Sequence, residues 1–298
     1  MRSLKKYKQY RLVNFFLILT FLTATLNAEV VRIGLYEPSR GTVKIKDFVL
    51  GITVLLKEQA EMAGLDLIIT NYKDPILLAK DFRERNVDLI IANSYFFAEN
   101  IPFDLLDDGI LPFIKTKEDY QSILTIGLRG DNRSFSEKLA GKLLLDQDEG
   151  IKLYVKNLYL EKNLASEPNF ISVDTSSQSL LRLFFHKGDL AFVNKGTYNI
   201  VCELNPQINE RLMVLKAIPL SIGVAAYTRK GISPNIQKKI LNTMTIMNNS
   251  IRGQQFLALF HTSYFGISHP HDIDSMYLLY SRYQSRLKTS KVNNKKDK

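Results

Sequence analysis

Cysteine is almost absent from this sequence of 298 residues, which contains only Cys202. A single cysteine cannot form an internal disulfide, so the fold must be stabilised by its hydrophobic core. Cys202 lies in a predicted helix and has no neighbouring histidine, which indicates a packing residue and not a nucleophile. It also lies far from the N-terminus, so no cysteine is placed where a lipid anchor would be attached.

Sequence motifs of common enzyme classes are missing as well. There is no Gly-x-Ser-x-Gly elbow and no glycine-rich loop with a lysine for a phosphate. The only histidine cluster, His269-Pro-His271, has a spacing that suits a metal only with ligands from elsewhere. We therefore predict no catalytic residues, no metal and no cofactor. A secreted enzyme stays a third hypothesis, because catalytic groups can assemble from distant residues.

A membrane-spanning run is also missing from the N-terminal region. The apolar stretch at residues 12–24 is short, since a transmembrane helix needs roughly 20 residues. Basic residues precede this stretch and the small residue Ala28 follows it, as is typical of a secretory signal peptide. The sequence therefore predicts a signal peptide at residues 1–28, cleavage after Ala28 and a periplasmic protein. An uncleaved anchor is the alternative.

The net charge of +10 comes from the two ends of the chain. Five basic residues and no acidic residue lie in residues 1–28, and seven basic residues and one acidic residue lie in residues 282–298. Residues 29–281 hold the remaining 28 basic residues against 29 acidic residues. Such a balanced body is not a nucleic-acid-binding surface, so we predict no nucleic-acid partner. The last segment, 282–298, is predicted to be a basic disordered tail.

The chain does contain a repeated unit. Residues 88–95 read Asp-Leu-Ile-Ile-Ala-Asn-Ser-Tyr, and residues 189–194 read Asp-Leu-Ala-Phe-Val-Asn. Both show an aspartate, a short buried strand and an asparagine, and both are preceded by an amphipathic segment and followed by a hydroxyl and a tyrosine. A helix that leads into a parallel strand is the unit of an open α/β sheet, which binds ligands beyond the carboxyl ends of its strands. The repeat predicts two similar lobes around a shared cleft. The alternative is that the two segments resemble each other by chance.

The order of the predicted elements assigns the chain to these lobes. A β-α-β-α-β order predicts a first lobe at residues 29–120, followed by a second lobe at residues 121–218. Residues 219–281 are predicted to return to the first lobe and to add closing helices. Two strands, at residues 121–128 and 222–227, would cross between the lobes and permit a hinge motion.

Capping residues mark two predicted helix starts in the second lobe. Ser134 is expected to cap a helix that runs to Leu145, with Glu137 completing a capping box. The hydroxyl-rich segment at residues 174–177 is expected to cap the helix that precedes the second copy of the repeated strand.

These segments together resemble the phosphate, phosphite and phosphonate substrate-binding proteins of bacterial ABC importers. The likeness is carried by a signal peptide and by the sequences at residues 31–38, 87–95 and 187–194, and it covers most of residues 30–265. The resemblance implies a type II periplasmic-binding-protein fold, in which two α/β lobes with open sheets are joined by two crossing strands. It also implies that the lobes close on a small-molecule solute.

The resemblance further implies that ligand contacts come from the ends of the repeated strands and from nearby helix starts. The residues expected to contact the ligand are Tyr36, Ser94, Tyr95, Ser176, Ser177, Asn194, Thr197 and Tyr198. Asn194 matches a position that is often acidic in the family. Each residue also has a structural alternative, which is helix capping for the serines of the second lobe and core packing for Tyr36 and Tyr95.

The turn at residues 146–150 departs from the family pattern. The resemblance implies a turn rich in serine and threonine, whose hydroxyls and N–H groups hold the oxyanion at a helix start. This chain has Asp-Gln-Asp-Glu-Gly instead. Acidic residues interact favourably with a helix N-terminus by themselves, and they would repel a phosphate. We therefore hypothesise that this turn binds no phosphate or phosphonate. The protein would then bind a neutral or amine-bearing solute, or bind no solute and serve as a partner-recognition domain.

Two functions follow from these observations. The first is delivery of a small solute to an ABC permease, with altered or lost phosphonate specificity. The alternative is a periplasmic sensory protein that binds a ligand and signals to a membrane receptor kinase or cyclase. The neighbouring genes would separate them, because import requires a permease and an ATPase whereas sensing requires a receptor.

Overall fold

The computed structural model describes residues 28–36, 45–113, 122–164, 167–220, 224–259 and 263–296. The strands are β1 Glu29–Tyr36, β2 Leu65–Tyr72, β3 Leu89–Asn93, β4 Leu106–Phe113, β5 Ser122–Leu128, β6 Lys142–Leu145, β7 Asn169–Ser172, β8 Leu190–Asn194, β9 Leu212–Pro219, β10 Val224–Arg229 and β11 Tyr264–Ser268. The helices are α1 Ile45–Met62, α2 Pro75–Arg83, α3 Ser94–Asn100, α4 Phe135–Leu139, α5 Glu149–Glu161, α6 Ser176–Phe184, α7 Lys195–Leu204, α8 Pro206–Arg211, α9 Pro234–Asn249, α10 Ile251–Leu259 and α11 Asp274–Lys296. The predicted signal peptide lies outside the described residues except for Ala28. Across the described ranges, no helix has the length and apolar character that crossing a membrane requires.

The strands form two open mixed sheets. The first has the order β11-β4-β10-β3-β1-β2, and the second has the order β7-β6-β8-β5-β9. In the first sheet β1 is parallel to β2 and β3, while β10 runs antiparallel between β3 and β4. In the second sheet β6 is parallel to β7 and β8, while β5 runs antiparallel between β8 and β9. These two sheets with their helices confirm the predicted α/β fold.

The chain passes between the sheets twice. It leaves the first sheet after β4 to enter the second at β5, and it returns from β9 to β10. The first sheet therefore takes strands from both ends of the described chain, whereas the second takes only β5 to β9. The residue boundaries proposed for the lobes stay a prediction, because residues 114–121 and 221–223 lie outside the described residues.

The repeated unit has the same local structure in both sheets. Before β3, the side chain of Asp88 accepts a hydrogen bond from the backbone N–H of Arg32 in β1 at 3.1 Å. Before β8, the side chain of Asp189 accepts one from the backbone N–H of Lys142 in β6 at 2.6 Å. A Cβ on Gly141 would lie 2.3 Å from this Asp189 carboxylate, so the close approach requires glycine. Both aspartates join neighbouring parallel strands at their amino ends, which is the edge of the sheet away from a ligand.

The helix predicted from Ser134 to Leu145 is wrong in its second half. The capping box is present, because Glu137 N–H donates to Ser134 Oγ at 3.3 Å and Ser134 N–H donates to Glu137 Oε2 at 2.7 Å. The helix ends at Leu139, however, and residues 142–145 form β6. The three leucines of β6 are all buried. Their continuous apolar run fits a buried parallel strand as well as a helix, so periodicity could not separate the two.

The prediction of a disordered tail is also wrong for residues 282–296, which continue α11. Tyr280 and Tyr283 pack against a buried apolar cluster, and Arg286 donates a hydrogen bond to the backbone oxygen of Asn157 in α5 at 3.2 Å. These contacts fix a segment whose charge pattern alone is typical of a solvated end. The signal that was present in the sequence is the spacing of Tyr277, Tyr280 and Tyr283, three residues apart on one helix face.

Candidate functional site

The carboxyl ends of the parallel strands of the two sheets lie near each other. In the first sheet, β1 ends at Tyr36, and β3 leads into α3, where Tyr95 lies. In the second sheet, β6 leads into the turn before α5, where Glu149 is the first helical residue. The negative charge of Glu149 contributes to the raised pKa of both Tyr36 and Tyr95. The start of α5 therefore faces the predicted ligand residues of the first lobe, as a shared cleft requires.

The two repeated strands both end in an asparagine that caps the next helix. Asn93 Oδ1 accepts a hydrogen bond from the N–H of Phe96 at 2.8 Å, and Asn194 Oδ1 accepts one from the N–H of Thr197 at 2.6 Å. Asparagine is among the residues preferred at this position, because its oxygen binds a free N–H of the first turn. Asn194 and the backbone of Thr197, both predicted ligand contacts, thus bind each other at the start of α7.

The first lobe brings Tyr36, Ser94 and Tyr95 together around the start of α3. The ring of Tyr36 lies 4.9 Å from the ring of Phe96, and Ser94 is buried as the first residue of α3. The hydroxyl of Tyr95 donates to Glu99 Oε1 at 2.8 Å. Burial, and after it nearby carboxylates, raise the pKa of Tyr36, while burial and the bond to Glu99 raise that of Tyr95. Both hydroxyls therefore stay protonated at neutral pH.

In the acidic turn at residues 146–150, side chains bind the turn's own N–H groups. Asp148 is the N-cap of α5, and its Oδ1 accepts from the N–H of Gly150 at 2.8 Å and of Ile151 at 3.1 Å. Asp146 Oδ1 accepts from the N–H of Asp148 at 3.0 Å. Carboxylates of the protein thus occupy the donors that would hold an oxyanion at this helix start.

The start of α6 is joined to the same turn. Ser176 is buried, and its hydroxyl donates a short hydrogen bond to Asp146 Oδ2. The neighbouring Thr175, and not a serine, caps α6 by accepting from the N–H of Gln178 at 3.3 Å. Ser177 lies half-buried in the first turn of α6. Ser176 therefore binds Asp146, a residue that sequence reasoning had placed in the turn but not against Ser176.

Tyr198 lies on the other side of the second sheet. Its hydroxyl donates to Asn209 Oδ1 at 3.2 Å, and its ring packs with Cys202 against the core below α6 and α7. That core contains Leu144 and Val193, whereas the core below α5 contains the residues on the opposite face of the same strands. Burial raises the pKa of Tyr198 to about 12. These contacts of Tyr198 do not involve the acidic turn, in contrast to the contact of Ser176 with Asp146.

Two residues near the first-lobe group were missed by sequence reasoning. Glu99 lies four residues after Tyr95 in α3 and accepts its hydrogen bond. Tyr280 of α11 lies edge-on to Tyr95, with ring centroids 6.1 Å apart. The spacing of Tyr95 and Glu99 on one helix face was a usable signal. No local signal connects Tyr95 with Tyr280, because the two are brought together by packing of distant helices.

The histidine cluster does not form a shared metal site in the part of the chain that is described. His269 Nδ1 lies 2.7 Å from Asp108 Oδ1, and His271 Nδ1 lies 2.9 Å from Asp274 Oδ2. Each histidine thus has its own carboxylate partner. Among the described residues, no group of three or more His, Cys, Asp or Glu side chains could hold a metal ion.

A comparison with protein-family models matches residues 78–273 to the family described as the phosphonate periplasmic substrate-binding protein of ABC transporters. The match is longer than half of the chain. The chain belongs to this family. The family assignment confirms the resemblance stated from the sequence, and it makes the protein a periplasmic substrate-binding component of ABC transporters. A comparison with curated protein sequences found no match.

Solved structures share the fold of this family member at low sequence identity. XAC2383 from Xanthomonas citri, bound to ATP, has a TM-score of 0.57 and 12% identity, covering 87% of this chain and 98% of that one. A binding protein component of an ABC phosphonate transporter, PA3383 from Pseudomonas aeruginosa, has a TM-score of 0.54 and 13% identity, covering 87% and 88%. PhnD1 from Prochlorococcus marinus, in complex with methylphosphonate, has a TM-score of 0.53 and 10% identity, covering 87% and 98%.

Proposed function

We propose that this protein delivers a small solute to an ABC permease and does not select phosphate or phosphonate through the turn at residues 146–150. The observation that carries the proposal is the position of Asp146. Its carboxylate accepts hydrogen bonds from the Ser176 hydroxyl and from the N–H of Asp148. These are hydroxyl and N–H donors of the kind that a phosphonate oxygen would use.

Charge repulsion makes the same donors unsuitable for an anion. An oxyanion bound between α5 and α6 would lie within a few ångströms of Asp146 and Asp148. Two like charges 4 Å apart repel by about 4 kcal/mol at the effective dielectric of a protein surface. That free energy corresponds to a loss of affinity of about a thousandfold. Hydrogen bonds to the few donors that remain would not offset this loss, because a typical one contributes about 1 kcal/mol.

We propose an amine-bearing solute in preference to a neutral one. The support is the set of carboxylates around the two tyrosines of the first lobe. Glu99 and Glu149 both act on Tyr36 and Tyr95 by their charge. An ammonium group is attracted by carboxylates and by the faces of aromatic rings. Glu149 also pairs with Lys152 at 2.7 Å, whereas the carboxylate of Glu99 accepts the hydroxyl of Tyr95.

The other parts of the proposal concern location and partners. We propose that residues 1–28 direct export to the periplasm and are removed, and that the two lobes then bind and release the solute without a reaction of their own. An ABC permease is the membrane partner in this proposal. The sensory alternative stays a prediction, because none of the contacts described above favours it.

Thermal unfolding of residues 29–298 in the presence of a solute panel tests the ligand class. The panel contains inorganic phosphate, methylphosphonate, polyamines, amino acids and neutral sugars. A ligand that binds only the folded state stabilises it by about 2.7 kcal/mol at a concentration one hundred times its Kd. We expect the midpoint to rise with an amine-bearing solute and not with methylphosphonate. Strong stabilisation by phosphate or methylphosphonate would overturn the specificity, and a flat panel would contradict a small-solute ligand.

A pair of variants tests the role of the acidic turn directly. Changing Asp146→Ser together with Asp148→Ser supplies hydroxyls and removes two negative charges beside Ser176. We expect this variant to gain stabilisation by methylphosphonate and to lose stabilisation by the amine. The control Asp66→Ser removes a charge at an exposed position in β2 of the other lobe and should leave both responses unchanged. A variant that folds but gains no anion binding would show that the turn does not determine specificity.

A further inference from the structure

The last helix, α11, is a single uninterrupted element that is long enough to reach both lobes. It contains the 23 residues Asp274–Lys296, which corresponds to about 35 Å at 1.5 Å per residue. Its first turns contact the first lobe. The hydroxyl of Tyr277 donates to the backbone oxygen of Ile101, at the end of α3, at 2.8 Å. The ring of Tyr277 also lies edge-on to Phe103, with centroids 5.2 Å apart.

The middle of α11 contacts the second lobe. Arg286 donates to the side-chain oxygen of Asn157 at 2.5 Å and to its backbone oxygen at 3.2 Å. Its guanidinium also lies 3.8 Å from a carboxylate oxygen of Glu161. Both partners belong to α5, which packs on the second sheet. Tyr280 lies in the first half of α11 and packs against Tyr95 of the first lobe.

A continuous apolar core accompanies these polar contacts. The buried cluster below α5 includes Leu158 and Phe192 of the second lobe. The same cluster includes Ala98 of α3 in the first lobe, and Met276 and Leu279 of α11. Residues from both lobes and from α11 are therefore buried together. Domains joined by small polar interfaces move relative to each other, whereas a hydrophobic interface of this kind restricts such motion.

We propose that α11 is a strap that fixes the two lobes to each other on one side of the cleft. Its first turns belong to the first lobe, while in the middle of the helix Tyr283 packs against the shared core and Arg286 attaches the helix to α5. Closure of the cleft then proceeds by rotation about the strap, while the lobes keep their separation along it. The proposal goes beyond solute delivery and does not depend on which solute binds.

Distance measurements between spin labels on the two lobes test the strap. The labels are attached to cysteines at the exposed positions Lys80 and Lys187, in a protein that carries Cys202→Ser. In the intact protein we expect one narrow distance distribution. Changing Tyr283→Ala and Arg286→Ala removes a ring packed against the shared core and the bonds to α5, and we expect the narrow distribution to be lost.

The matched control is a double change elsewhere on the same helix. Arg282→Ala with Ser285→Ala also removes one arginine and one hydroxyl group, but both side chains are exposed. We expect the control to keep the narrow distribution of the intact protein. A distribution that is equally narrow in the Tyr283 and Arg286 variant would overturn the proposal.

Hydrogen exchange in the unaltered chain tests the proposed strap even if the variant does not fold. A strap predicts that the amides of residues 280–289 exchange as slowly as those of α5, because both would open only when the lobes separate. A terminal helix without such attachment frays and exchanges fast. Fast exchange from Tyr280 onward would overturn the proposal.

Discussion

The two copies of the repeated strand unit begin alike and are used differently. Both start with an aspartate that binds the neighbouring strand, and both end with an asparagine that caps a helix. The helix after the first copy, α3, buries Phe96 and Phe97 and lies against α11. The helix after the second copy, α7, has Gly196 as its only buried residue. The unit is therefore a scaffold, and the difference between the lobes lies in the helices that it starts.

The two aspartates also differ in their charged partners. The side chain of Asp88 is 10% exposed and accepts hydrogen bonds from the Arg32 side chain at 2.9 and 3.0 Å. A second arginine, Arg229, places its Nη2 3.7 Å from Asp88 Oδ1. Asp189 is 20% exposed and has Arg133 at 2.7 Å. In the first copy, Asp88 and Arg229 are thus nearly buried and only Arg32 is partly exposed, whereas the arginine that binds Asp189 is 46% exposed and is shared with Asp131. Breaking a buried pair leaves an uncompensated charge, whereas a hydrated pair contributes little.

The largest expected effect comes from removing these aspartates in turn. Asp88→Ala leaves Arg229, whose side chain is only 11% exposed, without its carboxylate. We expect a loss of about 3 kcal/mol in the free energy of unfolding, in the range measured for broken buried pairs. Asp189→Ala should cost about 1 kcal/mol, because water can replace the lost contact. Urea denaturation of both variants measures the difference, and equal losses would show that the two copies are energetically equivalent.

An intermediate effect is expected from the two capping asparagines. In Asn93→Ala, water cannot reach the buried N–H of Phe96 to replace the lost hydrogen bond. We therefore expect the free energy of unfolding to fall by about 1 to 2 kcal/mol, the upper range for helix caps. Asn194 is more exposed, and Asn194→Ala should cost about 1 kcal/mol or less. Urea denaturation measures the loss of stability in each of the two variants. A serine at either position is the control, because its hydroxyl also caps a helix and should restore most of the stability.

The comparison also shows which features could be predicted from the sequence. The aspartate, the strand and the asparagine of each copy are local signals, and they correctly predicted the α/β fold. The leucines of β6 could not be assigned, because a short buried strand has no period of its own. The bond between Asp146 and Ser176 joins residues 30 positions apart, and the attachment of Arg286 to Asn157 joins residues 129 positions apart. Such contacts depend on how helices pack, which neither composition nor periodicity specifies.

The smallest expected effect is a pH dependence of stability that arises at Asp131, beside the second copy. Arg133 binds Asp189 and also Asp131, where Nη2 lies 2.8 Å from a carboxylate oxygen. Hydrogen bonds from the Arg133 side chain and backbone lower the pKa of Asp131 to about 2. A lowered pKa means that the folded state favours the ionised form more than the unfolded state does. The resulting stability is complete above the ordinary pKa of an aspartate, and it is lost as the pH falls from about 4 to about 2.

Arg133→Ala should therefore flatten the dependence of stability on pH in this acidic window, because the pKa of Asp131 returns toward its ordinary value. The side chain of Asp131 is near the surface, so the effect is small and should decrease further in high salt. Asp189→Ala is the control, since it leaves the contact between Asp131 and Arg133 in place and should keep the slope. Urea denaturation at a series of acidic pH values measures the slope of stability against pH for each variant. An unchanged slope in Arg133→Ala would contradict this prediction, because the lowered pKa of Asp131 would then not depend on the arginine. A flattened slope in Asp189→Ala would instead assign the acid dependence to the aspartate of the repeated unit.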